Sequence, residues 1–255
     1  MHHSPLDDLV AAVAGLANNP TTETSNGVAR PDLRREERTG APEVIYASGK
    51  TIAQVQALVE AFVENKGRAI VSRLPEAAAR EIADRFPTCS VKLAPRAQML
   101  VIRRPEFQVP EGGSVGIITA GTSDLPVAEQ AQIMAEEMGC TVSLVSDVGV
   151  AGIHRLFAPL QAMLSAQVDV VIVVAGMDGA LPSVVSGLVD LPVIGVPTST
   201  GYGVGGKGLA ALLSMLQTCA PGLSVVNVDN GVGAGVTAAL MANRVAARVA
   251  QARQL

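Results

Sequence analysis

The sequence predicts an α/β protein: a doubly wound parallel sheet in three layers, flavodoxin- or Rossmann-like, preceded by a smaller α/β domain. Three observations predict it. From about residue 112 onward, strand-length apolar runs alternate with helix-length amphipathic stretches. Runs such as VDVVIVVAG are apolar without period-two relief, as strands covered on both faces must be. Each run then breaks into glycine, hydroxyl and carboxylate residues: AGTSD, SDVGVAGIHR, AGMDGALPS, PTSTGYGVGGKG and NVDNGVGAG. In a parallel sheet these breaks fall at the carboxyl ends of the strands, where ligands bind.

Residues 1–40 read as an irregular, mobile N-terminal segment, with a turn-rich polar stretch, NNPTTETSNG, and a charge cluster, DLRREERTG. Residues 41–111 read as the small domain. PEVIYASG is a short strand. TIAQVQALVEAFVENKG has helical spacing, with Thr51 as cap and Ile52, Val55, Val59 and Phe62 on one face. AIVSRL is a strand, PEAAAREIADRF a helix opening on Pro75, and KLAPRAQMLVIR contains another strand. The composition shifts at Glu111, Gly112 and Gly113, after the proline-bounded PEFQVP, and the larger domain, 112–255, begins there. Its strands are predicted at 115–119, 141–146, 168–174, 192–196 and 223–227. Its helices are predicted at 126–138, 152–166, 180–188 and 205–219, with a last one from about 234.

Composition excludes several classes. At 255 residues, 49% hydrophobic and 16% charged, the chain can bury one large core, or one core plus a smaller partner. A net charge of -4 and 2% aromatics without tryptophan offer neither a basic footprint nor a stacking platform for nucleic acid. The N-terminal LVAAVAGLA follows Asp7 and Asp8, where a secretory signal carries positive charge. No run approaches the ~20 apolar residues of a membrane span. A cytoplasmic protein is expected. Cys89, Cys140 and Cys219 are odd in number and lack metal-ligand spacing, which predicts neither disulfides nor structural zinc.

The turn after strand 115–119 is the most informative stretch. Gly121, Thr122 and Ser123 offer backbone amides and two hydroxyls at the positive end of the following helix, a natural seat for phosphate. A capped αβ turn uses the same residue types. Asp124 reads first as a helix cap. His154 and Arg155 open a helix after the GVAG turn; histidine is a proton shuttle and arginine a phosphate clamp, and a lone histidine there also serves as a cap or surface residue. Asp178 stands in AGMDGAL among small residues that leave room for a ligand, in a setting where turn-forming Asp is also common. Asp147, Asp229 and Asn230 share that ambiguity, and Lys207, between two glycines, reaches for a phosphate or merely for solvent. Cys219 is read as ending the helix GLAALLSMLQTC. The negative end of a helix disfavours a thiolate, so activation must come from a neighbouring base or a cationic substrate. The alternative is a cysteine packed as a small hydrophobe.

Taken together, AGTSDLPVAEQA, DVGVAGIHRL, VVAGMDGALPSVVSGLVDLPVIGVPTSTGYG, LAALLSMLQTCA and VVNVDNGVGAG resemble the LarB family, the PurE-like pyridinium-3,5-biscarboxylic acid mononucleotide synthases. PDLRREERTGAPEVIYASGKT resembles that family's N-terminal region. The resemblance implies the first step of nickel-pincer nucleotide cofactor synthesis: carboxylation of the pyridinium ring of nicotinic acid adenine dinucleotide by CO2 or bicarbonate, then hydrolysis of its phosphoanhydride with release of AMP. It implies Cys219 as nucleophile, Asp178 or His154 as the base, and Mg2+ as cofactor. Gly121, Thr122, Ser123, Asp124, Arg155 and Gly176 become candidate substrate contacts, as do Thr198, Gly203, Gly205, Lys207, Asp229 and Asn230. The same blocks are distantly similar to the carboxyaminoimidazole ribonucleotide mutases of purine synthesis, which share the TSD-like turn and the His-Arg pair. Those enzymes carry a second histidine before a Leu-Pro pair where this chain has Ala180 before Leu181 and Pro182. Aminoimidazole ribonucleotide carboxylation is thus the alternative activity, and a non-catalytic nucleotide-binding regulator the alternative class. Apolar, Ala-rich helices, together with the octamers of the related mutases, imply a homo-oligomer.

Overall fold

The computed structural model describes residues 30–252. The chain forms two compact units, one of residues 30–93 and 100–107, the other of residues 94–99 and 108–252. NNPTTETSNG and LVAAVAGLA lie outside the described residues.

In the smaller unit the charge cluster is ordered, a correction to the irregular segment expected up to residue 40. Helix α1, Arg35–Thr39, closes on Gly40 at φ 71°. Its carboxylates reach residues distant in sequence: Glu37 pairs with Lys66 at 2.7 Å and Glu36 with Arg68 at 2.8 Å. Arg68 is buried, and its guanidinium lies 4.7 Å from the Phe107 ring centroid. Strand β1 is Ile45–Tyr46, helix α2 Ile52–Lys66, β2 Arg68–Ser72 and α3 Glu76–Ala83. Thr51 caps α2 in a full capping box with Gln54, and Val55, Leu58, Val59, Phe62 and Val63 are buried. Ile52, expected on that face, is 40% exposed, because the first turn extends past the core.

KLAPRAQMLVIR holds two strands rather than one, β3 (Ser90–Ala94) and β4 (Met99–Arg103). The four-residue connection 95–98 is too short for a parallel crossover, so the pair is a hairpin. The sheet order is β1-β2-β4-β3.

The larger unit is the doubly wound sheet. Strands β5 (Ser114–Thr119), β6 (Thr141–Val145), β7 (Val170–Ala175), β8 (Val193–Pro197) and β9 (Leu223–Val225) lie in the order β6-β5-β7-β8-β9 and pair in parallel throughout. Every residue of β7 is buried, as its unrelieved apolar run requires. Helices α5 (His154–Ser165), α6 (Leu181–Ser186) and α7 (Leu209–Leu216) cover one face through Leu156, Leu160, Met163, Leu181, Val185, Ala211 and Met215. Helices α4 (Leu125–Glu137) and α8 (Gly231–Ala252) pack on each other, and α8 lies against β5, β7 and β8. Their backbones nearly touch: a Cβ on Gly231 would fall 2.1 Å from the Val127 oxygen, and one on Gly235 2.4 Å from that of Ala131. No helix among the described residues is long and apolar enough to cross a membrane.

The predicted strands fall within a residue or two of those observed, but two helices do not. The helix expected over 205–219 is confined to 209–216, because Lys207 at φ 58° and Gly208 at φ 81° cannot continue into it and Gln217 ends it. The helix expected from 234 begins at Gly231, because the Asn230 side chain accepts from Gly233 N at 2.9 Å and caps it.

Candidate active site

In this strand order the chain moves from β5 outward to β6 and returns to β7 on the other side. The crevice of such a sheet opens between β5 and β7, where the order reverses. Three loops converge there: Gly121–Asp124 after β5, Asp147–Ile153 after β6 and Gly176–Ala180 after β7. Two more, Thr198–Gly208 after β8 and the segment ending at Asn230 after β9, complete the rim.

Side chains beneath the rim lock these loops together. Thr198 is fully buried and donates to Asp124 Oδ1 at 2.7 Å, while Gly121 N donates to Asp124 Oδ2 at 2.9 Å. Burial pushes the Asp124 carboxyl above its ordinary range, against the pull of the Thr198 hydroxyl and the backbone amides of Gly121 and Gly176. Thr119 donates to Gly121 O at 2.9 Å and accepts from Asp147 N at 3.4 Å, joining the β5 and β6 loops. Met177 N reaches Thr200 O at 3.1 Å, and Asp229 Oδ1 accepts from Ser199 N at 2.8 Å. Gly176 must be glycine, since a Cβ there would lie 2.3 Å from Thr200 O.

Above this base the rim is open. Thr122, Ser123, His154, Arg155 and Asp178 are exposed, and Gly121 is half-buried at the turn. The Gly203–Gly208 loop adds exposed Lys207, and a Cβ on Gly203 or Gly206 would meet nothing within 4 Å. Arg155 Nη1 donates to Asp147 Oδ2 at 2.5 Å, so Asp147 orients the cation toward the crevice side of α5. The arrangement suits an elongated anion: hydroxyls and amides at the centre, one cation beside them, carboxylate and imidazole on the flanking strands.

Three expectations are corrected. Asp124 neither caps α4, which has no side-chain cap, nor faces a ligand; both its oxygens are taken by protein donors under the turn. Asn230 serves α8 as its cap. Cys219 does not end α7: it lies three residues beyond Leu216, exposed, in the loop entering β9. That loop is at the other edge of the sheet. Pro221 O accepts from Ser186 Oγ at 2.7 Å at the far end of α6, and Gly222 O accepts from Val193 N at 3.1 Å at the start of β8. Within one chain Cys219 is thus separated from the rim by the length of α7, about 12 Å. The residues sequence reasoning missed are Thr119, Thr200 and the supporting role of Thr198. Their signal was a hydroxyl at the last position of a strand or just after it.

Residues 114–254 match the family model described as AIR carboxylase, and residues 23–104 match that of the LarB/PurE-like N-terminal domain. The chain belongs to the LarB/PurE-like AIR carboxylase family. An uncharacterized protein of Methanocaldococcus jannaschii is 47% identical over 216 residues, 83% of this chain and 82% of its own. N5-carboxyaminoimidazole ribonucleotide mutases of Thermotoga maritima and M. jannaschii are 34% and 36% identical, each over 49% of this chain and 72% and 74% of their own. The mutases thus match about half of this chain, whereas the uncharacterized M. jannaschii protein matches most of it.

Proposed function

We propose that this protein carboxylates the pyridinium ring of nicotinic acid adenine dinucleotide and hydrolyses the phosphoanhydride, giving pyridinium-3,5-biscarboxylic acid mononucleotide and AMP in the first step of nickel-pincer nucleotide synthesis. The observation that carries this reading is at the switch point. Exposed Asp178 stands there with Ala180, at the position where the resemblance to the mutases implies a second histidine in their proton relay. The LarB-type N-terminal domain supports the same choice.

The electron-poor ring cannot attack CO2. Addition of the Cys219 thiolate, supplied from a neighbouring copy in the proposed homo-oligomer because one chain holds it away from the rim, forms a C–S bond and moves a ring electron pair toward nitrogen, leaving an enamine. The enamine carbon β to nitrogen gives its pair to CO2 and forms the new C–C bond. Asp178 or His154 then takes the proton from that carbon, and loss of the thiolate restores aromaticity. The cationic ring itself favours the thiolate. Water then cleaves the P–O–P linkage, with Thr122, Ser123, Arg155 and the Gly203–Gly208 loop holding the phosphates.

Among the described residues no group of three or more His, Cys, Asp and Glu could hold a metal ion. Mg2+ carried mainly by substrate phosphates needs no such cage, and when bound it would neutralise charge on them. The setting we propose is cytoplasmic and homo-oligomeric, up to an octamer.

Aminoimidazole ribonucleotide carboxylation is the second reading, favoured by the identity to the mutases. Incubation with either substrate, bicarbonate and Mg2+, followed by mass spectrometry, separates them. The dinucleotide is expected to give a dicarboxylated mononucleotide and AMP in a Cys219-dependent way. Turnover of the ribonucleotide without need of Cys219 would support the second reading, and saturable binding without product a regulator.

A further inference from the structure

We infer that Met177 and Tyr202 form the seat of a cationic aromatic ring, an N-alkylpyridinium, with the Met177 thioether as its floor and the face of Tyr202 as its wall. The inference deepens the function proposed above and rests on it for the identity of the ring. The seat itself is built from two side chains that have no role in that reaction.

The loops after β7 and β8 are zipped together at this point. Met177 N donates to Thr200 O at 3.1 Å, and a Cβ on Gly176 would fall 2.3 Å from the same oxygen. One residue on, a Cβ on Gly201 would lie 3.2 Å from Met177 Sδ, so the thioether rests against bare Gly201 backbone. Met177 holds φ 49°, a left-handed conformation that costs energy in a residue with a side chain. What that conformation achieves is display: Met177 is 49% exposed on the rim, next to Asp178, instead of packing in the core where its apolar area would stabilise the fold.

Tyr202 follows Gly201 directly and is 82% exposed. A single peptide unit, about 3.8 Å between Cα atoms, separates it from the backbone that Met177 touches. Gly203, just beyond, takes φ 78° with nothing within 4 Å of where a Cβ would stand, so neighbouring protein does not pin the chain there. The chain has two tyrosines, four phenylalanines and no tryptophan, and of these Tyr202 alone stands on the five strand-end loops.

Charge divides the rim in two. His154 and Arg155 stand on the β6 side, beside the amides and hydroxyls of the β5 turn. The loops after β7, β8 and β9 carry Asp178 and Asp229 against one cation, Lys207. A ligand with phosphates at one end and a positive ring at the other matches both halves. With its phosphates on the β5 turn, its ring end extends toward β7, the neighbouring strand, where Met177 and Asp178 are consecutive. The quadrupole of the Tyr202 ring attracts a cation over its face, and the polarizable sulfur of Met177 packs favourably on an aromatic edge. Adenine, being neutral, gains the stacking without the charge, so the seat belongs to the pyridinium half.

Tyrosine emission tests this without turnover, because the chain lacks tryptophan and Y46F leaves Tyr202 as its one tyrosine. The Y46F protein titrated with nicotinic acid mononucleotide is expected to lose its emission saturably, since an electron-poor cation in contact with a phenol quenches it. AMP, a phosphate with a neutral base, is expected to leave the emission unchanged once its absorption is corrected for. Quenching by AMP to the same or a greater extent would overturn the assignment and give the seat to the adenine half, and no quenching by either ligand would overturn the seat outright. Tyr202 is exposed, so Y202A is expected to fold as wild type does. In calorimetry Y202A is expected to bind the mononucleotide roughly 2- to 30-fold more weakly than wild type, and Y202F to stay within about twofold. Equal affinity of Y202A and wild type would overturn the seat. Failure of the reaction gives a different pattern: quenching by the mononucleotide with no carboxylated product from the dinucleotide would end the proposed function and leave the seat, whereas turnover without quenching would do the reverse.

Discussion

The Thr198 hydroxyl donates to Asp124 at 2.7 Å in a fully buried setting, so the loop after β8 is tied to the turn after β5 across β7. The phosphate turn is therefore held from below by protein, leaving its outer hydroxyls for a ligand.

Replacing Thr198 by Val keeps the volume and removes the donor. One oxygen of a buried carboxylate then loses its partner, and the substitution is expected to destabilise the fold by about 1–3 kcal/mol. Urea unfolding measures it. An unchanged midpoint would contradict the role assigned to the pair.

Asp124 also gives a pH signature. Burial raises its folded pKa above the ordinary 3.8, so its contribution to stability is fully present below that value and is lost as pH rises through the folded pKa. D124N cannot titrate. The difference in Tm between wild type and D124N is expected to shift against wild type from acid toward neutral pH, and a pH-independent difference would refute the assignment.

G235A should destabilise by about 1–3 kcal/mol, because its methyl would force α8 off the Ala131 carbonyl. G206A, where a Cβ meets nothing within 4 Å, should stay within roughly 0.5 kcal/mol of wild type. Thermal unfolding of the two variants side by side checks the contrast.

Arg155 and Asp147 are both well exposed, so R155A is expected to change stability by less than about 1 kcal/mol. If Arg155 clamps a substrate phosphate, the same variant raises KM for the dinucleotide. An unaltered KM would remove Arg155 from the site.

Much of this architecture was legible in residue patterns. The unrelieved β7 run and the glycine- and hydroxyl-rich strand ends located the sheet and its rim, because burial on both faces leaves no room for polar alternation. Other features depend on tertiary partners. The order of α1 comes from Lys66 and Arg68, far along the chain. The early start of α8 follows from the Asn230 cap on Gly233 N, in a first turn whose close approach to α4 only glycine permits. Asp124 looked like a cap because its partner Thr198 lies 74 positions away. Cys219 reads as a helix end because the apolar GLAALLSMLQTC run continues up to it, whereas the helix stops at Leu216 and topology sends the loop before a parallel strand to the edge opposite the rim.

The most direct test of the central claim is the dinucleotide reaction with wild type and C219A, followed by mass spectrometry in 13C-bicarbonate. The account predicts a labelled biscarboxylate mononucleotide and AMP from wild type, and loss of the labelled product from C219A. Undiminished labelling by C219A would contradict it.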